Sequence, residues 1–249
     1  CTFCSSPQMW TTKWQARDPD CVIEEMQFYI DKYKATNFDF YDLTAIVRKD
    51  WIIKFCQKII KKNWNITWQM PSGTRSEALD DETLSLMMLS GQKHISYAPE
   101  SASKTTLQKI KKKIKVENMK KSIRSALSKG MSVKLNLMLG FPDETHKEML
   151  ETLKFVMNAA FMGVSDVYLA SFAPYPGSEL FDQMYENGQI PKLDDEYFLN
   201  LTSYTDLLHS YSYSRHVGHH MLSVYRIGGM SMFYILNFVL RPKRIFRLF

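Results

Sequence analysis

The 249-residue sequence predicts an α/β protein built on a parallel sheet with helices outside it. Helix-like and strand-like periodicities alternate five times along the first 172 residues, and the connections between them are short and rich in Gly, Pro and Asn. Apolar residues make up 45% and charged residues 23%, the balance of a chain that buries a core rather than one that stays disordered. Alternation of this kind closes into a full or partial barrel or opens into a doubly wound sheet. Periodicity alone does not choose between them.

The elements follow in order. Asp20 to Tyr33 places Val22, Ile23, Met26, Tyr29, Ile30 and Tyr33 at helical spacing behind an Asp-Pro-Asp cap, and Asn37 to Leu43 then alternates as a short strand. Asp50 to Lys62 is a helix with Ile52, Phe55, Cys56, Ile59 and Ile60 inward, followed by a strand over Asn65 to Met70. Asp80 to Ser90 is a helix that Gly91 stops, suited as glycine is to a left-handed cap, and His94 to Ala98 is the next strand. Val116 to Lys129 ends at Gly130, with a strand over Ser132 to Leu139; Thr145 to Phe161 and Asp166 to Phe172 form the last pair.

The net charge of +6 comes from a few places, Lys109 to Lys121 and Arg241 to Arg247, so no nucleic-acid partner is expected. The lysine run reads as a solvated helix face. Four cysteines are too few for a disulfide scaffold of this size; Cys21 and Cys56 read as buried thiols in a reducing, cytoplasmic compartment. No secretory signal opens the sequence, and a chain starting at Cys rather than Met reads as a fragment.

In parallel α/β folds ligands sit beyond the carboxyl ends of the strands, and the unusual residues lie at those handovers: Asp42, then Ser72-Gly73 and Arg75, then Pro99-Glu100-Ser101, then Gly140-Phe141-Pro142, then Pro174-Tyr175-Pro176-Gly177. Cys1-Thr2-Phe3-Cys4 opens the chain with two thiols at a spacing that suits zinc, an iron–sulfur cluster or a redox disulfide. The pair alone does not select among these. Together with Tyr97 to Ser103, Leu139 to Thr145 and Pro174 to Ser178, it resembles the radical S-adenosylmethionine enzymes, and particularly the branch whose members often carry a cobalamin-binding domain upstream.

That resemblance covers about residues 1 to 190. It implies a partial (β/α)6 barrel whose first strand would end before Cys1, with Cys1 and Cys4 as the second and third ligands of a 4Fe-4S cluster and the first ligand four residues upstream. By resemblance, Phe3 packs near the adenine of S-adenosylmethionine, where on its own it is equally a core phenylalanine. Asp42 matches the acidic end of the second strand, which meets the cofactor's amino group, although the glycines usual there are missing and a turn aspartate fits as well. Arg75 matches an arginine that follows the third strand and binds a carboxylate; a surface ion pair is the plainer reading. Glu100 and Ser101 match the fourth-strand signature that meets the ribose hydroxyls and methionine end, with Ala102 in place of glycine, and a cap of the following turn is compatible with that. Gly140 opens a turn like the family's Gly-Phe-Pro-Gly-Glu-Thr, with Asp143 in place of glycine, which shapes the adenine pocket.

The activity implied is reductive cleavage of S-adenosylmethionine to a 5'-deoxyadenosyl radical, used for methylation, cyclisation or rearrangement of a small-molecule or lipid-like substrate. An electron donor such as ferredoxin or flavodoxin, and cobalamin on a separate N-terminal domain, would accompany it. The alternative is a non-catalytic binding or membrane-associated module with a zinc half-site or plain thiols at Cys1 and Cys4. Residues 196–249 form a mostly helical extension of a core over 1–195. Its Met230 to Leu240 run and following Arg241, Lys243, Arg244 and Arg247 suggest a short apolar helix with a separate basic end, at the inner face of a membrane or packed on another domain. His209, His216, His219 and His220 lack supporting carboxylates and make a poor zinc site.

Overall fold

The computed structural model describes residues 1–249 except 43–45, 74–78, 191, 205, 207–209 and 248–249. Among the described residues there are five strands, β1 (Asn37–Asp39), β2 (Thr67–Gln69), β3 (His94–Glu100), β4 (Ser132–Leu139) and β5 (Asp166–Ser171). All pairings are parallel: β1 with β2, and β3 with β4 with β5. One parallel bridge from Trp68 to Gln92 carries the order across from β2 to β3. The spatial order is thus the sequence order, as in the arc of a barrel, whereas a doubly wound sheet reverses at a switch point. Topology therefore settles the alternative that periodicity left open.

The helices are α1 (Ser6–Trp10), α2 (Pro19–Tyr33), α3 (Lys49–Lys62), α4 (Asp81–Leu89), α5 (Lys104–Lys109), α6 (Val116–Ser128), α7 (His146–Met162), α8 (Glu179–Glu186), α9 (Asp195–Asn200) and α10 (His219–Leu240). Their ends lie where local chemistry puts them. The Asp18 carboxylate accepts from the Asp20 amide at 2.8 Å, and Asp80 accepts from Thr83 at 3.0 Å. Thr145 and Glu148 form a reciprocal capping box, and α7 stops at Gly163 with φ 100°. Gly91 has φ 107°, as a left-handed cap requires, and a Cβ there would lie 2.4 Å from the Ile66 carbonyl oxygen, so the chain crossing also demands glycine.

Only β4 keeps both of its expected boundaries. The first strand stops at Asp39, the second is confined to Thr67–Gln69, the third runs on through a register shift to Glu100, and the fifth ends one residue early at Ser171. The core between sheet and helices contains Trp68, Phe55, Tyr97, Met87 and Ile52, each 1% exposed or less. Phe55 stacks on Trp51 and meets Phe40 and Trp68 edge-on. Cys56 is buried there, its thiol pushed up to about 12 by desolvation. Cys21, expected to be buried, is exposed. Val22, Ile23 and Met26 occupy the inward stripe of α2, and one residue earlier on a helix is a turn of about 100° away from it.

The C-terminal segment also departs from expectation. α10 is a single helix of 22 residues, and its Leu222, Met230 and Phe233 are buried in the same core as α7 and β5. Each such side chain gains about 1.5–3 kcal/mol from burial, more than the ~1 kcal/mol that a cation gains near an anionic membrane surface. Arg226 lies within this helix, and its fully buried guanidinium donates to the Leu169 carbonyl at 2.8 Å, the Asp206 carbonyl at 3.0 Å and Ser210 Oγ at 2.6 Å.

The basic end is likewise engaged. Arg241 donates to the Ala160 and Phe161 carbonyls at 2.9 and 3.0 Å, and Arg244 to the Gly163 and Val164 carbonyls at 2.7 and 2.9 Å. These carbonyls lie in the last turn of α7 and just past its Gly163 cap, where positive charge is favourable. Val224, Met232, Ile235 and Val239 remain on the outer face of α10. Among the described residues no helix is long and apolar enough to cross a membrane.

Candidate functional site

The Cys1-Thr2-Phe3-Cys4 turn is tied to the carboxyl end of the sheet by three contacts. The Thr2 amide donates to the Ile110 carbonyl at 3.0 Å, at the C-terminal cap of the short α5 that lies within the connection from β3 to α6, and the Thr2 carbonyl accepts from Leu180 at 2.8 Å, in the first turn of α8 beyond β5. Phe3 meets Phe141 edge-on at 5.7 Å, beyond β4, and Phe141 packs on Phe172 at 5.1 Å. Both thiols are free, Cys1 exposed and Cys4 half-buried, with Cys4 Sγ 3.2 Å from Ser6 Oγ. The turn itself closes through the Cys4 amide and the Cys1 carbonyl at 3.4 Å. Among the described residues no group of three His, Cys, Asp or Glu side chains could hold a metal ion by itself, so the turn offers two cysteine sulfurs and not a complete set.

Glu100 ends β3 with φ 66°, a conformation that costs a non-glycine residue about 1–2 kcal/mol. Its side chain is 13% exposed and its Oε1 lies 3.0 Å from Lys112 Nζ. Burial raises the carboxyl above its ordinary range, and the Lys112 ammonium opposes the rise. Ser101 is turned the other way. Its buried hydroxyl lies 3.0 Å from Thr152 Oγ1 on α7 and accepts from the Ser103 amide at 3.1 Å, so it braces the turn that starts α5. Thr2 Oγ1, Ser103 Oγ and Ser171 Oγ are buried without a hydrogen-bond partner among the described residues, all at this end of the sheet. Buried hydroxyls call for polar partners, and the polar groups of a nucleoside cofactor fit that demand.

Gly140 has φ 92°, and its Cβ position would lie 2.9 Å from Leu222 Cδ2 on α10. The glycine expected to admit a ligand thus also admits a helix. The Glu144 carboxyl turns back into the turn: Oε2 accepts from the Gly140 amide at 2.8 Å and the Phe141 amide at 3.3 Å, and Oε1 from the Thr106 hydroxyl at 3.4 Å. Burial pushes this carboxyl up to about 7 against those hydrogen bonds. Residues 212–217 cross the outside of the turn. Ser214 Oγ donates to the Glu144 carbonyl at 3.0 Å, the Arg215 amide to the Pro142 carbonyl at 2.9 Å, and Tyr213 packs edge-on to Phe172.

The structure therefore brings Cys1, Phe3, Cys4, Glu100 and Gly140 to one end of the sheet. Asp42 is exposed three residues past β1 and makes no hydrogen bond or ion pair among the described residues; Arg75 and His209 lie outside them. The reading of Lys109 to Lys121 as a solvated face is corrected at Lys112, which turns inward to Glu100; Lys109 and Lys111 stay exposed while pairing with Glu148 and Glu179. Lys112 and Glu144 are the residues that sequence reasoning missed. A lysine inside a lysine run carries no mark of facing inward, and a Glu next to a helix start looks like a cap.

The Radical SAM superfamily profile matches residues 1–156. The chain is 23% identical over 190 residues to the anaerobic magnesium-protoporphyrin IX monomethyl ester cyclase of Rubrivivax gelatinosus, covering 76% of this chain and 34% of that protein. It is 29% identical over 195 residues to the cytidylyl-2-hydroxyethylphosphonate methyltransferase of Streptomyces wedmorensis, covering 76% and 36%. The chain thus spans about a third of the length of these relatives. Its fold is shared with TsrM of Kitasatospora setae, a radical S-adenosylmethionine methyltransferase solved with cobalamin and a 4Fe-4S cluster: TM-score 0.65, 13% identity, 76% of this chain and 38% of that one. With the family profile over more than half its length on a sheet of parallel strands in sequential order, the chain belongs to the radical SAM superfamily.

Proposed function

We propose that this chain is the core of a radical S-adenosylmethionine enzyme, in which Cys1 and Cys4 supply two of three thiolates to a 4Fe-4S cluster. The observation that carries the reading is the anchoring of the CxxC turn to the connections after β3 and β5, with Phe3 against Phe141 after β4. When bound, the cluster supplies the electron that cleaves S-adenosylmethionine reductively. The chain's own residues orient and shield. Phe3 and Phe141 offer aromatic faces to an adenine, and Glu100 accepts from ribose hydroxyls or an ammonium. Thr2 and Ser171 present hydroxyls with free hydrogen-bonding capacity at the same end of the sheet. Methylation, cyclisation or rearrangement of a small organic substrate is the reaction class, cobalamin on a separate domain the accompanying cofactor, and a ferredoxin or flavodoxin the electron donor. The relatives named as methyltransferase and cyclase support that range.

Anaerobic reconstitution of the protein made from its complete coding sequence tests the reading. Cys4→Ala should lose the iron–thiolate absorbance near ~400 nm and most of the bound iron, since cluster ligation depends on thiolates. Full iron content in that variant would refute the assignment, and stoichiometric zinc in the unsubstituted protein would favour the half-site alternative.

A further inference from the structure

The chain from the end of α5 to the start of α6 carries Lys109, Lys111, Lys112, Lys113 and Lys115, and it does not treat them alike. Lys109 lies 3.3 Å from Glu148 Oε1 and donates to the Asp143 carbonyl, Lys111 reaches Glu179 at 2.5 Å, and Lys113 and Lys115 are exposed. Lys112 alone turns into the protein, 3.0 Å from Glu100 Oε1, with the two side chains 18% and 13% exposed. Both are fixed from the backbone. The Lys112 amide donates to the Leu107 carbonyl at 2.9 Å and its carbonyl accepts from Ile114 at 3.0 Å, while Glu100 sits in a left-handed conformation before the turn closed by Ser101 and Pro99. Strain held at a carboxylate whose direction is then fixed by a buried cation is the pattern of a preorganised ligand contact, and not of a surface ion pair.

We propose that Lys112 is a positioning residue for Glu100: it takes one carboxylate oxygen and holds the group ionised and aimed, so that the other oxygen is free to accept from S-adenosylmethionine. Glu100 Oε2 has no partner among the described residues, while Oε1 is spoken for. Among the described residues no other charged side chain acts on this carboxylate. β4 presents Leu137 beside it, Glu144 is held by the Gly140 and Phe141 amides, and Glu148 by Thr145 and Lys109. Burial works against the charged form and Lys112 works for it. Without the ammonium the carboxyl would hold its proton to higher pH and, once protonated, would no longer make a charge-assisted acceptor. The inference rests on the proposed role of Glu100 and assigns to Lys112 a task that no motif marks.

The test is equilibrium binding of S-adenosylmethionine by calorimetry to the anaerobically reconstituted protein, from pH 6 to 9, in unsubstituted, Lys112→Met, Lys112→Arg, Glu100→Gln and doubly substituted forms. The unsubstituted protein and Lys112→Arg should bind with little pH dependence. Lys112→Met should bind roughly tenfold more weakly at pH 6.5 and recover as pH rises, the loss expected for one charge-assisted hydrogen bond. Glu100→Gln should bind weakly at every pH, and adding Lys112→Met to it should cost nothing further. Since Lys112→Met leaves a buried carboxylate unpaired, Lys112→Gln with and without Glu100→Gln reads the same coupling if that variant does not fold. Unchanged binding in Glu100→Gln would overturn the role of Glu100. Weak binding there, with Lys112→Met running parallel to the unsubstituted protein across pH or adding its full cost to Glu100→Gln, would overturn the Lys112 proposal alone.

Discussion

Glu144→Gln should remove one defined component from the pH dependence of folding. The Glu144 carboxyl lies at about 7 in the fold against 4.5 ordinarily, because desolvation outweighs the amides of Gly140 and Phe141 that favour its charge. An acid whose value is raised on folding binds its proton more tightly in the native state. Its stabilisation is complete below about pH 4.5 and is lost as pH rises through about 7, with a linkage between those limits of about 3 kcal/mol. Glutamine fits the same contacts. Its oxygen can accept from Gly140 and Phe141, and its amide can donate to the Thr106 hydroxyl where the carboxyl's Oε1 now lies. Urea unfolding of both proteins, followed from pH 5 to 8.5 and compared at equal slope, isolates this group because every other titration cancels in the difference. The variant should match the unsubstituted protein at pH 5 and gain on it progressively, by up to about 3 kcal/mol, toward pH 8.5. A difference that is constant across the range, or that moves the other way, would refute the buried-carboxylate argument.

Two further substitutions test the packing around the site. Gly140→Ala meets both a left-handed φ of 92° and Leu222 Cδ2 at 2.9 Å; it should destabilise by about 1–3 kcal/mol. Added to Leu222→Ala it should still cost about 1 kcal/mol, because relieving the contact leaves the backbone strain, and a free Gly140→Ala in that background would show that only the contact matters. Arg226→Met should cost about 2–4 kcal/mol, since the Leu169 carbonyl and Ser210 hydroxyl lose a charged donor while the desolvation of the guanidinium is recovered. Limited proteolysis should then cut first between residues 210 and 217, and an unchanged pattern would mean that Arg226 does not latch that segment.

The helix ends were legible because each is decided within a few residues. Asp18, Asp80 and Thr145 cap the amides next to them, and Gly91 and Gly130 stop helices through their own φ. The β4 boundaries were legible for the same reason: Val133, Leu135, Leu137 and Leu139 alternate in the sequence as they alternate in burial. The third strand ran past its expected end, because the continuation to Glu100 depends on a bulge against β4 that no local preference encodes.

The candidate site divides along the same line. Cys1, Phe3, Cys4, Glu100 and Gly140 could be read from motifs, since their residue types and spacings are themselves the signal. Their supports could not. Lys112 reaches back twelve residues to Glu100, Arg226 reaches fifty-seven to Leu169, and Arg241 and Arg244 reach some eighty to the end of α7. The amphipathic run after Met230 has the same composition whether it faces lipid or a neighbouring helix; its choice of α7 and β5 follows from which apolar surface lies within reach once the strands have paired. The sequence by itself determined the alternation of elements, their ends and the residue types at the strand ends. The tertiary structure decided which of those residues are desolvated together, because burial and long-range ion pairing are properties of the packed sheet and of no single segment.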